Sequence, residues 1–349
     1  MSDRNNPPRK RIIGPIVVTL MCLAAAYFAW RSVVPPAPTL LSKSSQGIAS
    51  AEFADGAWYW IEGMNSPGAH LVRATGSSIA GVASTEQVRS FSVGHGKIAW
   101  IAGDGKTWSI SVEGIDGSAK AGIWSGDREP SGLYLADDKL YWLEQVPAAV
   151  PESGPMPPLG PTLKVLSAPL AGGAAPTALG SIMEPVGRKI LGIHDDRLYA
   201  AANRGAFKDI TTVYEIPLKG GPSKRIIGEV GDHSALLTPD GTLYWTSPSR
   251  EDAQPDKAVC VWRLGRDGKP EPIQDWLPSG GRLFASGPTL CYIDGSYSAS
   301  AWPIGAPGGM PQSLPLPAGY RAVAVGNGEI LLQPEGVDKT TPIYRTALP

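Results

Sequence analysis

Three carboxylates recur at one place in this sequence. Glu62, Glu144 and Asp294 each stand two residues past the last aromatic of a short hydrophobic run, after Trp60, Trp142 and Tyr292. Carboxylates at matching repeat positions, brought together from separate units, have the composition of the acid pair that cleaves a glycosidic bond. They also suit a polar, partly acidic mouth that receives a peptide, a glycan or a partner protein. The long loops that follow such runs add Arg204, Asp209, Arg250, Asp252 and Glu335. Each of these eight side chains also reads as ordinary solvated loop surface. No motif singles out a catalytic residue. The four histidines, His70, His95, His194 and His233, show no metal-ligand spacing of the His-Glu-x-x-His kind. No Gly-x-Ser-x-Gly elbow is present for a serine nucleophile. Gly-rich stretches such as Ile304-Gly-Ala-Pro-Gly-Gly309 precede no helix, so they read as turns and not as phosphate loops. The expectation is a site with no catalytic residue, no metal and no cofactor assigned.

The hydrophobic runs that position these residues belong to a repeat. A turn followed by a small aromatic or aliphatic strand occurs seven times: Asp55-Gly-Ala-Trp-Tyr-Trp60, His95-Gly-Lys-Ile-Ala-Trp100, Asp137-Asp-Lys-Leu-Tyr-Trp142, Asp195-Asp-Arg-Leu-Tyr-Ala200, Asp240-Gly-Thr-Leu-Tyr-Trp245, Gly287-Pro-Thr-Leu-Cys-Tyr292 and Asn327-Gly-Glu-Ile-Leu-Leu332. A second strand follows each, as in Val213-Tyr-Glu-Ile-Pro-Leu-Lys-Gly-Gly221. A third and a fourth lead to the next turn. Short strands at even spacing with one aromatic motif per unit are the signature of a β-propeller blade. Asp-Gly and Asn-Gly supply the positive φ of a tight hairpin. With 42 Gly and 34 Pro, long helices are disfavoured. The expected fold is an all-β, seven-bladed β-propeller over residues 39–349, with six blades as the alternative if one weak unit fails. Thr39-Leu-Leu-Ser-Lys43 resembles an outer strand and is expected to complete the last blade. The recurrent aromatics Trp60, Trp100, Trp142, Tyr199, Trp245 and Tyr292 read as packing between blades, because a repeat must bury its own face.

The repeat resembles a known family. Leu243-Tyr-Trp-Thr-Ser247 is close to the Tyr-Trp-Thr-Asp phrase of low-density-lipoprotein-receptor-type propellers, and Val261-Trp-Arg-Leu-Gly-Arg-Asp-Gly268 is similar to their following strand and turn. The resemblance covers roughly residues 39–349, at repeat level. It implies a binding or scaffolding module more than an enzyme. The chain departs from the family in lacking the motif's Asp in most copies and in having seven units where the receptor-type domain has six.

The N-terminus carries an address. Residues 1–11 form a basic tail with Arg4, Arg9, Lys10 and Arg11, and residues 12–30 carry no charge. Nineteen residues at about 1.5 Å each span roughly 28 Å, near the hydrocarbon thickness of a bilayer. A transmembrane signal-anchor helix is expected there, with the basic flank inside and the propeller outside the cytoplasm. A cleaved signal peptide ending near Ala24-Ala-Ala26 is the competing reading. Residues 31–38 read as a Pro-rich linker. With 31 basic and 32 acidic residues, nothing points to nucleic acid. Three cysteines cannot build a framework, and Cys260 and Cys291 read as buried thiols or as an inter-blade disulfide. The sequence therefore favours a membrane-anchored, non-catalytic module that binds an unknown protein, peptide or glycan through its long-loop face. The alternative is an extracytoplasmic propeller enzyme such as a glycan hydrolase or lyase.

Overall fold

The computed structural model describes residues 37–44, 48–63, 68–76, 78–82, 87–147, 162–184, 186–203, 211–230, 234–248, 258–265, 267–278, 280–296, 298–303, 312–335 and 341–347. The basic tail, the apolar segment of residues 12–30, Cys22 and most of the Pro-rich insert after Val146 lie outside them. Among the described residues no helix is long and apolar enough to cross a membrane.

The described strands form seven four-stranded antiparallel sheets. The first described strand is β1 (Thr39–Ser44). Blade 1 holds β2 (Ile48–Ala54), β3 (Ala57–Glu62), β4 (His70–Thr75) and β5 (Ser78–Gly81). Blade 2 holds β6 (Val88–Gly94), β7 (Lys97–Gly103), β8 (Trp108–Gly114) and β9 (Ala121–Gly126). Blade 3 holds β10 (Pro130–Ala136), β11 (Lys139–Val146), β12 (Thr162–Pro169) and β13 (Thr177–Ile182). Blade 4 holds β14 (Val186–His194), β15 (Arg197–Asn203), β16 (Thr211–Pro217) and β17 (Lys224–Val230). Blade 5 holds β18 (Ala235–Leu237), β19 (Leu243–Pro248), β20 (Ala258–Leu264) and β21 (Pro270–Pro278). Blade 6 holds β22 (Arg282–Ser286), β23 (Thr289–Ile293), β24 (Ala299–Pro303) and β25 (Gln312–Ser313). Blade 7 holds β26 (Tyr320–Gly326), β27 (Glu329–Pro334) and β28 (Thr341–Ala347), and its fourth strand is β1, which pairs antiparallel with β28.

The first strand of every blade touches the first strands of both neighbours, so β2, β6, β10, β14, β18, β22 and β26 close a ring. The arrangement is a seven-bladed β-propeller, and the ring surrounds its axis. Seven apolar clusters fill the seven spaces between blades. Trp60, Trp100, Trp142, Trp245 and Tyr292 are buried in them, and Tyr199 packs partly buried against another. Each fully buried apolar side chain contributes roughly 1.5–3 kcal/mol, which makes these layers the main cohesion between blades. Side-chain hydroxyls add directed links. Ser92 Oγ accepts the Leu135 N–H at 3.1 Å, Ser234 Oγ the Leu283 N–H at 2.7 Å and Ser286 Oγ the Gly328 N–H at 2.7 Å, each from the next blade. Trp58 Nε1 donates to Glu329 Oε2 at 3.0 Å and so joins blade 1 to blade 7.

The hairpin turns have the geometry that their residues favour. Asp55-Gly56, His95-Gly96, Asp195-Asp196 and Asn327-Gly328 hold φ between 47° and 75° at both positions, which is the primed turn that matches strand twist. Cys260 and Cys291 are free, buried thiols in different inter-blade clusters. Burial pushes the Cys291 thiol up to about 12, so it packs as a small apolar group.

Candidate functional site at the channel mouth

Strand register defines the two faces. Ile48 pairs with Glu62, Pro130 with Glu144, Val186 with Asn203, Arg282 with Ile293 and Tyr320 with Pro334. The start of each of these first strands therefore lies beside the end of its second strand. The long loops leave from the ends of the second strands, so they crown the same face as the channel mouth. The tight Asp-Gly-type turns lie on the opposite face.

Four of the eight sequence-predicted residues are described, and each is tied to its own blade. Glu62 is buried and accepts Trp60 Nε1 at 3.0 Å, and its other oxygen faces His70 Nε2 at 3.6 Å. Glu144 meets Arg128 at 3.2 Å, which pins the connection entering blade 3 to β11. Asp294 Oδ1 accepts the N–H groups of Ser296 and Ser298 at 2.8 and 3.0 Å and the Ser296 hydroxyl at 2.6 Å, and so holds its own loop. Glu335 is exposed, and its N–H donates to Gly319 O at 2.8 Å. Arg204, Asp209, Arg250 and Asp252 lie outside the described residues. Among the described residues no hydrogen bond or ion pair joins two members of the predicted set.

The ring of first strands carries a second group of charges, which the motif reading passed over. Glu52 on β2, Lys189 on β14 and Arg282 on β22 all keep solvent-accessible side chains. A first strand has a neighbour on each side and its own second strand behind it. A side chain that reaches water from there reaches the water of the channel or its mouth. Two more arginines sit at the same level. Arg89 lies between Val88, paired with Ala102, and Ser90, paired with Ile101, so it is the extra residue of a β-bulge. Arg321 pairs with Gln333 and donates Nη2 to that side chain at 3.1 Å. Register shifts occur in five of the seven first strands at this level, between Ala49 and Glu52, Val88 and Ser90, Ser131 and Tyr134, Gly187 and Lys189, and Ala322 and Ala324. Bulges re-aim side chains and recur beside functional sites.

The electrostatics follow from enclosure. Glu52 touches water, but seven strands wall that water in. Desolvation pushes its carboxyl up to about 7, against the pull of Lys189. The same enclosure holds the Lys189 ammonium below the usual lysine range, Glu52 draws it back up, and Arg282 pushes it further down. Tyr134 on β10 is raised by burial and then by Glu52, while its hydrogen bond to the Ile193 backbone opposes the rise. Among the described residues, four basic groups therefore lie at the mouth end of the inner strands with one carboxylate, Glu52, deeper, although the whole chain is near neutral at −1.

No family model matches the chain, and no curated protein is similar enough to align with it. Solved structures do align. An oligogalacturonate lyase in complex with manganese superposes with TM-score 0.61 at 10% identity over 90% of this chain and 98% of its own. The oligogalacturonate lyase of Vibrio parahaemolyticus gives 0.60 at 10% identity over 91% and 93%. The acylaminoacyl peptidase of Pyrococcus horikoshii gives 0.58 at 9% identity over 87% of this chain, which spans about half (52%) of that protein. The likeness is one of fold. The described donors do not fit a manganese centre, because no three His, Cys, Asp or Glu side chains converge among the described residues. His70 is paired with Glu62, and His194 lies beside Asp195 at a turn on the opposite face.

Proposed function

We propose that the protein is a membrane-anchored, extracytoplasmic binding module, a sensor or scaffold, whose ligand or partner docks on the long-loop face over the channel mouth. One observation carries the reading: the long loops and the only charged inner-strand tier described share that face of a closed, rigid ring. Binding residues concentrate on loops held by such scaffolds. The described carboxylates Glu62 and Glu144 on the second strands and Asp294 just past one are engaged locally, which favours a framing role over an acid pair for glycoside cleavage. The uncharged segment of residues 12–30 behind a basic tail supports the anchor and its orientation. The repeat itself we read as a degenerate form of the receptor-type propeller.

The test is proximity crosslinking of the full chain in its native envelope, with the crosslinked residues mapped by mass spectrometry. Crosslinks from the segments around Glu144, Arg204, Arg250 and Asp294 to one partner are the expected result. Crosslinks confined to the short-turn face overturn it. A second reading has one specific support: a carboxyl at about 7 beside a depressed lysine is an arrangement found in acid–base enzymes. Turnover of an acidic glycan that is abolished in Glu52→Gln would establish this reading in place of the first.

A further inference from the structure

Lys189, Arg282, Arg89 and Arg321 come from four different blades, yet all lie within the first four residues of their blades' first strands, on the mouth side of the ring. Arg89 and Lys189 stand five residues before the turn-closing Gly94 and His194, Arg321 five before Gly326, and Arg282 four before Ser286. Equal height on separate blades makes a tier, and a closed ring brings a tier to one axis. Nearer the turns, on blade 1, is Glu52, whose partner Tyr59 stands two positions from the turn pair Ala54–Ala57.

Such a tier is unfavourable on its own. Like charges repel, and the protein around them screens less than bulk water does. One carboxylate does not neutralise four cations. Arg321 is partly occupied by Gln333, and Lys189 has Glu52 within electrostatic range. Arg282 forms no ion pair among the described residues. The Arg89 Nε is buried with no hydrogen-bond partner among them. A buried donor without an acceptor is costly unless something fills the position. Guanidinium groups stay charged at any working pH and present planar forks that match oxyanions. A cleft lined by one sign of charge between low-dielectric walls also concentrates ions of the opposite sign.

We infer that the basic tier of the upper channel is a binding site for a small multivalent oxyanion, a compound carrying two or more carboxylate or phosphate groups. Several anionic groups are required because the cations stand on separate blades. Arg282 and Lys189 hold the anion from one arc of the ring and Arg89 from another, while Glu52 sets a polar boundary deeper in the channel. The inference rests on the long-loop face being the functional one and names the ligand chemistry at its centre.

The test is isothermal titration calorimetry of the full chain in nonionic detergent, in metal-free buffer at low salt. Citrate and pyrophosphate serve as probes. Saturable binding of at least one is expected, weakened about tenfold or more in Arg282→Gln and in Lys189→Met. Lys219→Gln, which removes a cation from an exposed pair with Asp196, is expected to bind as the parent does. Preference for citrate assigns carboxylates, preference for pyrophosphate assigns phosphates, and equal binding assigns charge alone. If Lys189→Met or Arg282→Gln loses its fold by circular dichroism, the salt dependence of the parent decides, and affinity must fall as salt rises. No saturable binding at millimolar probe, binding indifferent to salt, or equal binding by the channel variants overturns the inference. An envelope partner crosslinked to the loops in that case leaves the binding-module reading standing, so the two failures are distinct.

Discussion

Glu52 and Glu62 stand ten residues apart in sequence and do different work. Glu62 is a structural acceptor. Its loss leaves the buried Trp60 indole N–H without a partner, and Glu62→Ala is expected to cost about 1–3 kcal/mol. Glu62→Gln keeps an acceptor and should cost much less, and urea denaturation of both variants checks this. Glu52 lies in the enclosed water of the channel, where burial disfavours its charge. Its folded-state value is about 7 against an ordinary 4.5, so the folded protein binds its proton more tightly than the unfolded chain does. Its contribution to stability is therefore greatest below about pH 4.5 and declines as pH rises to about 7. The groups facing it are Lys189, whose ammonium is itself depressed, Tyr134 and, beyond Lys189, Arg282. In Glu52→Gln that decline should vanish, so the stability difference between pH 5 and pH 8 should shrink relative to the parent. Equal differences in the two proteins would show that Glu52 ionises normally.

At the scale of the element, the first strand of each blade lines the channel, and bulges in five of the seven set which side chains it presents. Gly132 sits in the bulge of β10 with φ 60°, where an added Cβ would lie 3.0 Å from Leu143 Cδ1 and 3.1 Å from Ile190 N. Gly132→Ala is expected to destabilise by about 1–3 kcal/mol, through left-handed backbone strain and crowding together. Thermal denaturation reads the effect. The blade count, the turns and the aromatic layers were legible because they rest on local chemistry: Asp-Gly or Asn-Gly for a primed turn, and a run such as Ala57–Glu62 that is buried at every position. The basic tier was not legible in the same way. Arg89 and Lys189 sit on strands that alternate poorly, because inserted residues shift the register against the second strand of the same blade, and Arg282 opens a strand of only five residues. Counting backward from each turn lines up Arg89, Lys189 and Arg321, and that was the available signal. The most hydrophobic strand of each repeat attracts attention, yet the strand before it lies nearest the axis.

For the whole molecule, integrity rests on the seventh blade. Leu41 of β1 is buried at 4% exposure with Trp58, Trp60, Ala324, Leu331 and Ile343. That cluster draws on blade 1, blade 7 and the strand that closes them. Leu41→Asp buries an unpaired charge there and is expected to release β1, exposing the edge of β28. A lower melting temperature, with self-association visible by light scattering, checks the prediction, and an unchanged monomer would show that the closing strand is dispensable. The pairing of β1 with β28 also imposes an order of events. The ribosome makes β1 before any blade and β28 after every other strand, so the first strand must wait, unpaired, for the last. A chain that stops anywhere before β28 leaves β1 without that partner and the ring unsealed. Closure of the ring thus reports synthesis through β28, and a protease that recognises an unpaired leading strand would remove products truncated before it.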